Sequence, residues 1–351
     1  MKLLITALEQ SANNHFAKIL PHIGDVKICG IYDSNICKDK PLYEFTEFNA
    51  MGFFEVLPLV FKAKKAIAEL VEMSQDVDVV FLIDSPAFNI PFVKSLRKNG
   101  YKGKIIYFIL PQVWAWKSGR IKVVEELCDE LISILPFEKQ YFKTSKFFGS
   151  PLYEFVGLKS KCNIKSSVKT IAYMPGSRKG EISRLMGEFR ILANMIKNNE
   201  NEVKNVLVIP SSLKNNVSEI YGDISCFDIS FDSKSTLIES DFAFICSGTA
   251  TLEAGLIGTP FLLCYKAKAI DYLIAKFFVK IKYIGLCNIV FDKLGLGEFM
   301  EEFIQDRANH LELYKAYLNY NFDIFNKNSL KLQSFFNENP AEKIAQLIKG
   351  K

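Results

Sequence analysis

Short apolar segments and helix-like segments alternate along the first half of the chain. The apolar segments are rich in β-branched residues, and each is short enough to form one buried strand. They lie at residues 2–7, 26–31, 77–83, 104–108 and 130–135, and helical patterns occupy residues 90–99 and 117–128. This alternation predicts a parallel sheet with helices on both faces, as in a Rossmann-like domain.

The alternation of strand and helix patterns stops near residue 147 and begins again at residue 170. Residues 147–169 lack periodicity and contain Gly149, Pro151 and Gly157 before a polar stretch, so we place a domain boundary there. Further strands are predicted at 170–174, 206–209, 226–229 and 242–246, with helices at 181–197, 233–239 and 250–257 and a helical pattern from residue 300 to the end. Two Rossmann-like domains in series are expected to face a central cleft with their strand carboxyl ends.

Composition narrows the classes of function. With 49% apolar residues among 351, the chain is expected to fold into globular domains, and no apolar run is long enough to span a bilayer. The net charge of +5, without long Lys/Arg runs, argues against a nucleic-acid partner. Eight cysteines without a C-x-x-C pair predict reduced thiols and a cytoplasmic protein. Only three histidines are present, which argues against a histidine metal cluster and favours a carboxylate as general base.

A candidate ligand-binding stretch follows the strand predicted at 242–246. Its sequence, Ser247-Gly-Thr-Ala-Thr-Leu-Glu, leads through a turn of small residues into a helix. Such a turn permits close approach of a ligand, and a helix N-terminus attracts an anion. Ser247 and Thr249 add hydroxyl donors, and Glu253 is placed to accept from sugar hydroxyls, which fits a nucleotide diphosphate. The same pattern also fits a Ser or Thr that only caps the helix.

Two other strand-end segments carry charged residues. In Met174-Pro-Gly-Ser-Arg, Gly176 permits a tight turn and Arg178 offers a planar donor group suited to phosphate. Asp84 stands at the carboxyl tip of the strand at 77–83, where partial burial would raise its pKa toward the range of a general base. The alternatives are a solvated arginine in a tight loop, and an Asp84 or Asn89 that only caps the following helix or braces the turn.

Aromatic residues mark further segments. Interpreted as an extended run, the segment with both tryptophans is expected to place one ring in the core and the other at a cleft, against a sugar or a lipid. Residues 53–71 predict a helix with apolar side chains left over beside lysines, and residues 272–282 repeat this character. The left-over residues are Phe53, Phe54, Leu57 and Phe61. A membrane-interface helix fits this pattern, and so does a helix buried on two sides or in a dimer contact.

Together and in this order, these segments resemble the lipid-A-disaccharide synthase family of inverting GT-B glycosyltransferases. The matching strings are Ala50-Met-Gly-Phe-Phe-Glu-Val-Leu, Ile83-Asp-Ser-Pro-Ala-Phe-Asn, Pro111-Gln-Val-Trp-Ala-Trp, Leu135-Pro-Phe-Glu-Lys, Pro175-Gly-Ser-Arg and Ser247-Gly-Thr-Ala-Thr-Leu-Glu, between residue 3 and about 305. The resemblance implies the GT-B fold: an N-terminal acceptor domain at 1–155, a C-terminal donor domain at 165–330, and a last helix at 340–351 that joins the first domain.

The resemblance also implies a reaction. A diacylglucosamine is transferred from UDP to diacylglucosamine 1-phosphate, which gives the β-1,6 lipid A disaccharide 1-phosphate and UDP without a metal or cofactor. Asp84 matches the general base and Arg178 the arginine that stabilises departing UDP. Residues implied to bind the UDP-sugar are Gly176, Ser177, Arg178, Ser247, Gly248, Thr249, Glu253 and Asn288. Residues expected on the acceptor side are Glu9, Ser11, Asn89 and Trp116.

The implied setting is the cytoplasmic face of the inner membrane, with peripheral attachment through the four left-over apolar residues and a homodimer as an oligomeric state. Two strings depart from the family pattern. Leu8-Glu-Gln-Ser-Ala-Asn13 stands where the family usually has Gly-Glu-x-Ser-Gly-Asp, and Gly149-Ser-Pro stands for Gly-His-Pro. The alternatives are another GT-B enzyme acting on a UDP-amino-sugar, such as a lipid-linked sugar transferase or a 2-epimerase, and a nonenzymatic nucleotide-sugar or lipid-binding protein.

Overall fold

A computed structural model of the chain describes residues 1–48, 56–159, 168–200, 202–268 and 282–350, with the backbone alone at 56–58. The chain divides into two compact units. The first contains Met1–Pro151 and Glu338–Lys351, and the second contains Leu152–Asn337.

The first unit is built on one parallel sheet. Its strands are β1 (Lys2–Ala7), β2 (Lys27–Tyr32), β3 (Tyr43–Glu44), β4 (Val79–Ile83), β5 (Lys104–Phe108) and β6 (Glu130–Ile132). Its helices are α1 (Gln10–Ile23), α2 (Val56–Ser74), α3 (Pro86–Lys98), α4 (Arg120–Leu127) and, at the end of the chain, α12 (Ala341–Ile348). The six strands pair in the order β3-β2-β1-β4-β5-β6, and every pair is parallel.

The second unit repeats this plan. Its strands are β7 (Thr170–Met174), β8 (Lys204–Val208), β9 (Asp228–Ser230), β10 (Phe242–Cys246), β11 (Phe261–Tyr265) and β12 (Glu302–Ile304). Its described helices are α5 (Lys179–Asn199), α6 (Val217–Tyr221), α7 (Ser233–Glu239), α8 (Thr249–Ile257), α9 (Leu286–Lys293), α10 (His310–Leu318) and α11 (Phe322–Gln333). The strands pair in parallel in the order β12-β11-β10-β7-β8-β9.

Central strands of both sheets are apolar along their whole length because both faces are covered. Every residue of β4 and of β10 is buried, which is the pattern expected when helices pack on both sides of a parallel sheet. The last helix, α12, packs against α1 and buries Ala341, Ile344, Ala345 and Ile348. The Lys104 Nζ donates to the main-chain oxygen of Leu347 at 2.8 Å, so the end of the chain completes the core of the first unit.

The structure confirms the predicted fold class of two parallel α/β sheets. The strands predicted at 2–7, 104–108, 170–174 and 242–246 have the observed bounds. The expectation of an entirely helical pattern after residue 300 is wrong, because β12 adds a short edge strand there. Helix α3 begins at Pro86 and not at residue 90, since proline is well suited to the first helical position.

The tryptophan segment forms turns and not an extended run. Trp114 is 5% exposed and Trp116 is 51% exposed. An extended run would have placed both rings on one face, because residues two apart in a strand share a face. The turn therefore separates the two rings. The expected division into one core ring and one exposed ring is confirmed, but for a different reason.

The residues expected to face a membrane are only partly described. Phe53, Phe54 and residues 272–281 lie outside the described residues, as does the side chain of Leu57. Phe61 is described, in α2, and is 70% exposed. Across the described ranges, no helix combines the length and the apolar character that crossing a membrane requires.

Candidate active site

The second unit brings two strand-end turns together at one point of its sheet. β7 and β10 are neighbours, while β8 and β9 extend the sheet beyond β7, and β11 and β12 extend it beyond β10. The chain therefore leaves the two strands in opposite directions, which makes them the switch point at which such sheets bind ligands. β7 leads through residues 175–178 into α5, and β10 leads through residues 247–248 into α8.

Gly176 allows the first of these turns to lie close against its neighbours. Its backbone φ is +105°, in the left-handed region that favours glycine. A Cβ atom at this position would lie 2.7 Å from Oε2 of Glu181 and 3.3 Å from Sγ of Cys246. A larger residue would therefore displace the Glu181 carboxylate, so the glycine fixes the path of the turn beside β10.

Arg178 ends this turn and is the N-cap residue of α5. Its guanidinium side chain is 82% exposed, and Nη1 lies 3.0 Å from Oε1 of Glu181, whose side chain is 11% exposed. The carboxylate anchors one edge of the guanidinium, and the solvent-accessible remainder can meet an anionic ligand. Sequence reasoning missed Glu181; its only signal is its spacing of three residues from Arg178, which places both on one helix face.

Both turns line one cavity of about 570 Å³, a volume within the range of small-molecule sites. Seven of the eight residues expected to bind the UDP-sugar line it: Gly176, Ser177, Arg178, Ser247, Gly248, Thr249 and Glu253. The wall also includes Pro210 and Phe231, which follow β8 and β9 and which sequence reasoning did not single out. They add apolar surface suited to the flat face of a nucleobase.

The beginning of α8 is open toward an incoming ligand. Among the described residues, leaving aside Gly248 and its two chain neighbours, no heavy atom lies within 4 Å of the position that a Cβ of Gly248 would occupy. A helix N-terminus presents N–H groups without intrahelical partners and a partial positive charge. A phosphate in the cavity would thus be stabilised by the N-termini of α5 and α8 and by Arg178.

Asn288 does not line this cavity, which corrects the expected direct contact with the nucleotide. The residue is 1% exposed, and its amide is hydrogen-bonded within the protein. Its Nδ2 donates to the main-chain oxygen of Met300 at 2.7 Å and to Oε1 of Glu302 at 2.9 Å. Its Oδ1 accepts from the main-chain N–H groups of Phe299 and Met300 at 2.7 and 3.0 Å.

Glu302 connects Asn288 to the segment that contains Ile284 and Gly285. The Glu302 carboxylate accepts from the main-chain N–H groups of Ile284 and Gly285 at 3.0 and 2.8 Å. The hydroxyl of Ser247 donates to the main-chain oxygen of Ile284 at 2.9 Å. Asn288 therefore contacts the carboxylate that accepts from Ile284 and Gly285, and Ser247 donates to the same segment.

Glu253 lies one turn into α8 and lines the cavity. Burial raises the pKa of its carboxyl, the charge of Glu154 raises it further, and Lys234 acts in the opposite direction. A half-buried carboxylate benefits from hydrogen bonds that a ligand supplies, because burial has removed part of its water shell. This environment suits contact with ribose hydroxyls.

In the first unit the switch point lies between β1 and β4, which are neighbours with further strands on both sides. Asp84 directly follows β4, and Glu9 follows β1 by two residues. Burial raises the pKa of Asp84 to about 6, and the charge of Glu9 contributes to the rise. A carboxyl with this pKa is ionised at neutral pH and is basic enough to take a proton during a reaction.

The backbone at Asp84 is held in an unusual conformation. Asp84 and Ser85 have φ angles of +50° and +42°, a region that residues other than glycine rarely occupy. The main-chain N–H of Asp84 donates to the oxygen of Phe108 at 2.9 Å. The main-chain oxygen of Asp84 accepts from the hydroxyl of Tyr107 at 2.9 Å and from Nδ2 of Asn89 at 2.7 Å. Such strain persists where the surrounding structure fixes it, and it is concentrated at functional sites.

Asn89 belongs to this bracing network, which corrects its expected contact with a sugar. The residue is fully buried, and its Oδ1 accepts from the hydroxyl of Thr6 at 2.7 Å. Because α3 begins at Pro86, Asn89 lies inside the helix and does not cap it either. Its Nδ2 group donates to the main-chain oxygen of Asp84 and so fixes the backbone there.

The other residues expected on the acceptor side divide into two groups. Glu9 and Trp116 line a second cavity, which lies within the first unit. Ser11 is exposed in α1 and is not among the residues that line that cavity. Asn13, where the family usually has aspartate, is buried and donates to the main-chain oxygens of residues 7 and 9, both at 2.9 Å. The altered loop is therefore braced by the asparagine amide.

The chain thus has two Rossmann-like units, with a cavity at the switch point of one and a carboxyl of raised pKa at the switch point of the other, an architecture typical of α/β enzymes. Solved structures share this fold. A UDP-GlcNAc 2-epimerase from Neisseria meningitidis bound to UDP-GlcNAc matches with a TM-score of 0.61 at 11% identity over 100% of both chains. S. aureus MnaA with UDP matches with a TM-score of 0.58 at 14% identity, over 99% of this chain and 95% of that one. At these identities the similarity shows the fold alone.

Sequence comparisons identify the family. The family model for lipid-A-disaccharide synthetase matches residues 3–346. A lipid-A-disaccharide synthase of Campylobacter jejuni (strain RM1221) is 48% identical over 363 aligned residues, covering 98% of this chain and 98% of the relative. One from Helicobacter acinonychis (strain Sheeba) is 41% identical, covering 99% and 97%. The chain belongs to the lipid-A-disaccharide synthase family and is a glycosyltransferase of lipid A synthesis.

Proposed function

We propose that this enzyme transfers 2,3-diacylglucosamine from its UDP-activated form to 2,3-diacylglucosamine 1-phosphate, forming the β-1,6 disaccharide 1-phosphate and UDP. Membership of the family supports the reaction. The observation on which the assignment depends most is the cavity between the N-termini of α5 and α8, because Arg178 and both strand-end turns line it. A nucleotide diphosphate is the ligand that this combination of cation and helix ends suits best.

The proposed chemical step is an in-line displacement. The acceptor 6-hydroxyl oxygen forms a bond to the anomeric carbon of the donor, and the bond from that carbon to the UDP diphosphate breaks. The electron pair of the broken bond leaves with UDP, where Arg178 and the helix N-termini stabilise the growing negative charge. The proton of the attacking hydroxyl passes to the Asp84 carboxylate. Inversion at the anomeric carbon gives the β linkage.

Activity is expected to depend on pH through Asp84. Its pKa of about 6 means that the base is protonated and inactive below that value. We therefore expect kcat/KM for the acceptor to rise about tenfold per pH unit below pH 6 and to level off above it. A profile of initial rates from pH 4.5 to 8.5, at saturating donor and with the acceptor well below its KM, measures this directly. A rate that is flat across pH 6 would remove Asp84 from the role of base.

The substrate assignment predicts a dependence on acylation. Detergent-dispersed donor and acceptor should together release UDP and yield a disaccharide, whereas unacylated UDP-GlcNAc should be neither transferred nor epimerised. Coupled detection of UDP, with mass spectrometry of the sugar product, separates these reactions. Epimerisation of the unacylated sugar would show a 2-epimerase, and UDP binding without turnover of any acylated donor would show a binding protein.

We also propose peripheral attachment to the membrane and a homodimer. Val60 and Phe61 are exposed on α2 beside the exposed Lys64, which supports contact with an anionic lipid surface. The proposal of a homodimer rests on the resemblance to the family. Flotation with anionic vesicles tests the first proposal, and light scattering of the detergent-free protein tests the second.

A further inference from the structure

The first unit contains a cavity of about 1,030 Å³ that the proposed roles of Asp84 and Arg178 leave unused. It is enclosed by α2, by the beginning of α3 and by the loop between β5 and α4. Its volume lies at the upper end of the range for small-molecule sites.

The wall of this cavity is largely apolar. Phe48, Leu59, Ile67 and Phe88 contribute side chains to it, and Ala63 leaves room at the middle of the α2 wall. A concave wall that is mostly apolar, with a few polar groups at its edge, is typical of small-molecule sites. A hydrocarbon chain would gain free energy from this surface for each methylene group that it buries.

The rim of the cavity is positively charged. Lys117 and Arg120 both line it, together with Trp116. The Lys117 Nζ lies 4.1 Å from the centre of the Trp116 ring, and the Arg120 guanidinium carbon lies 5.6 Å from it. Among the described residues neither cation forms an ion pair with a carboxylate. The two charges are therefore available to an anion, and the tryptophan ring holds them on the same loop.

This rim is next to the proposed base. Ser85, which follows Asp84, lines the cavity, as does Glu9. The charge of Arg120 lowers the pKa of the Tyr107 hydroxyl against the large rise that burial causes, and that hydroxyl donates to the main-chain oxygen of Asp84 at 2.9 Å. Arg120 therefore lies within electrostatic range of the group that holds the base.

The backbone strain of the first unit is concentrated in the same region. Its described non-glycine residues with positive φ are Asp84, Ser85, Ile109 and Lys117. All four lie in the loops that follow β4 and β5. Strained backbone of this kind collects at ligand sites because the strain positions the groups that act. Strained backbone therefore occurs both at the charged rim, at Lys117, and at the proposed base, at Asp84 and Ser85.

We propose that this cavity holds an acyl chain of the acceptor lipid, and that Lys117 and Arg120 bind the phosphate of its headgroup. The inference rests on the proposed function for the identity of the acceptor. An acylated sugar phosphate matches both parts of the site, an apolar wall for the chain and two cations for the phosphate. Binding of the two parts places the sugar between them, beside Asp84.

Filling the cavity tests the acyl part. In Ala63→Trp the indole would occupy space at the α2 wall, and Ala68→Trp is the matched control, since Ala68 is exposed on the same helix and does not line the cavity. Calorimetric titration of each full-length variant with detergent-dispersed diacylglucosamine 1-phosphate, without donor, gives the dissociation constant. We expect Ala63→Trp to bind at least tenfold more weakly than wild type and Ala68→Trp to bind as wild type does.

Chain length supplies a second test of the acyl part. In the wild type, removal of two methylene groups from each probe chain should weaken binding about tenfold for the chain that is buried. In Ala63→Trp the same shortening should have little effect. Equal binding by Ala63→Trp and Ala68→Trp, or equal dependence on chain length in both, overturns the proposal.

Removal of the phosphate from the probe tests the headgroup part. Lys117→Ala and Arg120→Ala should each weaken binding of the phosphorylated probe about tenfold and leave binding of the dephosphorylated probe unchanged. Lys122→Ala, at an exposed lysine of α4 outside the cavity, is the control and should alter neither. Loss that is equal for both probes, with unchanged thermal melting, contradicts a phosphate site.

The titrations contain no donor, so they separate this proposal from the proposed reaction. If the wild type fails to release UDP but still binds the probe in a manner sensitive to Ala63→Trp, the cavity is supported and the reaction is not. If UDP release is normal and Ala63→Trp raises the KM of the donor and not that of the acceptor, the assignment to the acceptor is overturned. If Ala63→Trp impairs only flotation with phospholipid vesicles, the cavity serves membrane attachment and the proposal is also overturned.

Discussion

Replacement of Asp84 by asparagine is expected to lower kcat by about 10²- to 10⁴-fold, the contribution typical of a positioned general base. The amide has nearly the same shape as the carboxyl but cannot take the proton from the acceptor hydroxyl. The main-chain contacts with Phe108, Tyr107 and Asn89 do not involve the side chain, so the strained turn should remain. Steady-state rates with both acylated substrates measure the loss.

Stability provides the control for this variant. The pKa of Asp84 is raised to about 6 in the folded protein, against about 3.9 for an unfolded chain. The folded state thus binds more protons between these values, and the contribution of Asp84 to stability falls as the pH rises through that window. Above pH 6 the neutral Asp84→Asn variant should therefore melt at the same temperature as wild type or higher.

The affinity for UDP gives a further control, because the nucleotide residues lie in the second unit. The dissociation constant of UDP should be unchanged in Asp84→Asn. A variant that loses activity together with UDP binding, or that melts well below wild type, would give Asp84 a structural role in place of the chemical one.

The sequence predicted the parts of the site that follow strands. β4, β7 and β10 are continuous apolar runs that end in a turn, and the residues after them can be assigned to sheet edges from the pattern alone. Asp84, Arg178 and Ser247 were found in this way. The residue types suggested a general base, a phosphate partner and a hydroxyl donor, and the resemblance to a family then favoured these roles over helix capping and a solvated loop.

Contacts between distant segments could not be predicted in this way. Asn288 was implied at the nucleotide by the resemblance, but its hydrogen bonds involve Glu302 of β12, a three-residue edge strand with too little sequence to show periodicity. Asn89, at the end of a string that matches the family, was expected on the acceptor side, yet its amide points into the fold toward Thr6. In each case the direction of the side chain is set by residues that are far apart in the chain.

Replacement of Arg178 by alanine is the second change with a large expected effect. The guanidinium is an exposed cation at the N-terminus of α5, and it lines the cavity assigned to the diphosphate. Negative charge on the diphosphate grows as the anomeric bond breaks, so the arginine is worth more in the transition state than in the ground state. We expect kcat/KM to fall by about 10²- to 10³-fold, or about 2.7–4 kcal/mol.

The division between kcat and KM decides which role Arg178 has. Removal of a partner of the leaving group should lower kcat and kcat/KM together, whereas removal of a group that binds donor and transition state equally should raise KM alone.

Two further variants test the charge of Arg178 and its anchor. Arg178→Lys should recover part of the loss, since it keeps the charge but not the planar pair of donors. Glu181→Gln keeps the guanidinium but removes the charge that anchors it at 3.0 Å, so its loss should be smaller than that of Arg178→Ala. If Arg178→Ala leaves kcat unchanged, charge stabilisation of UDP must come from the helix N-termini, because they are the other positive groups in the cavity wall.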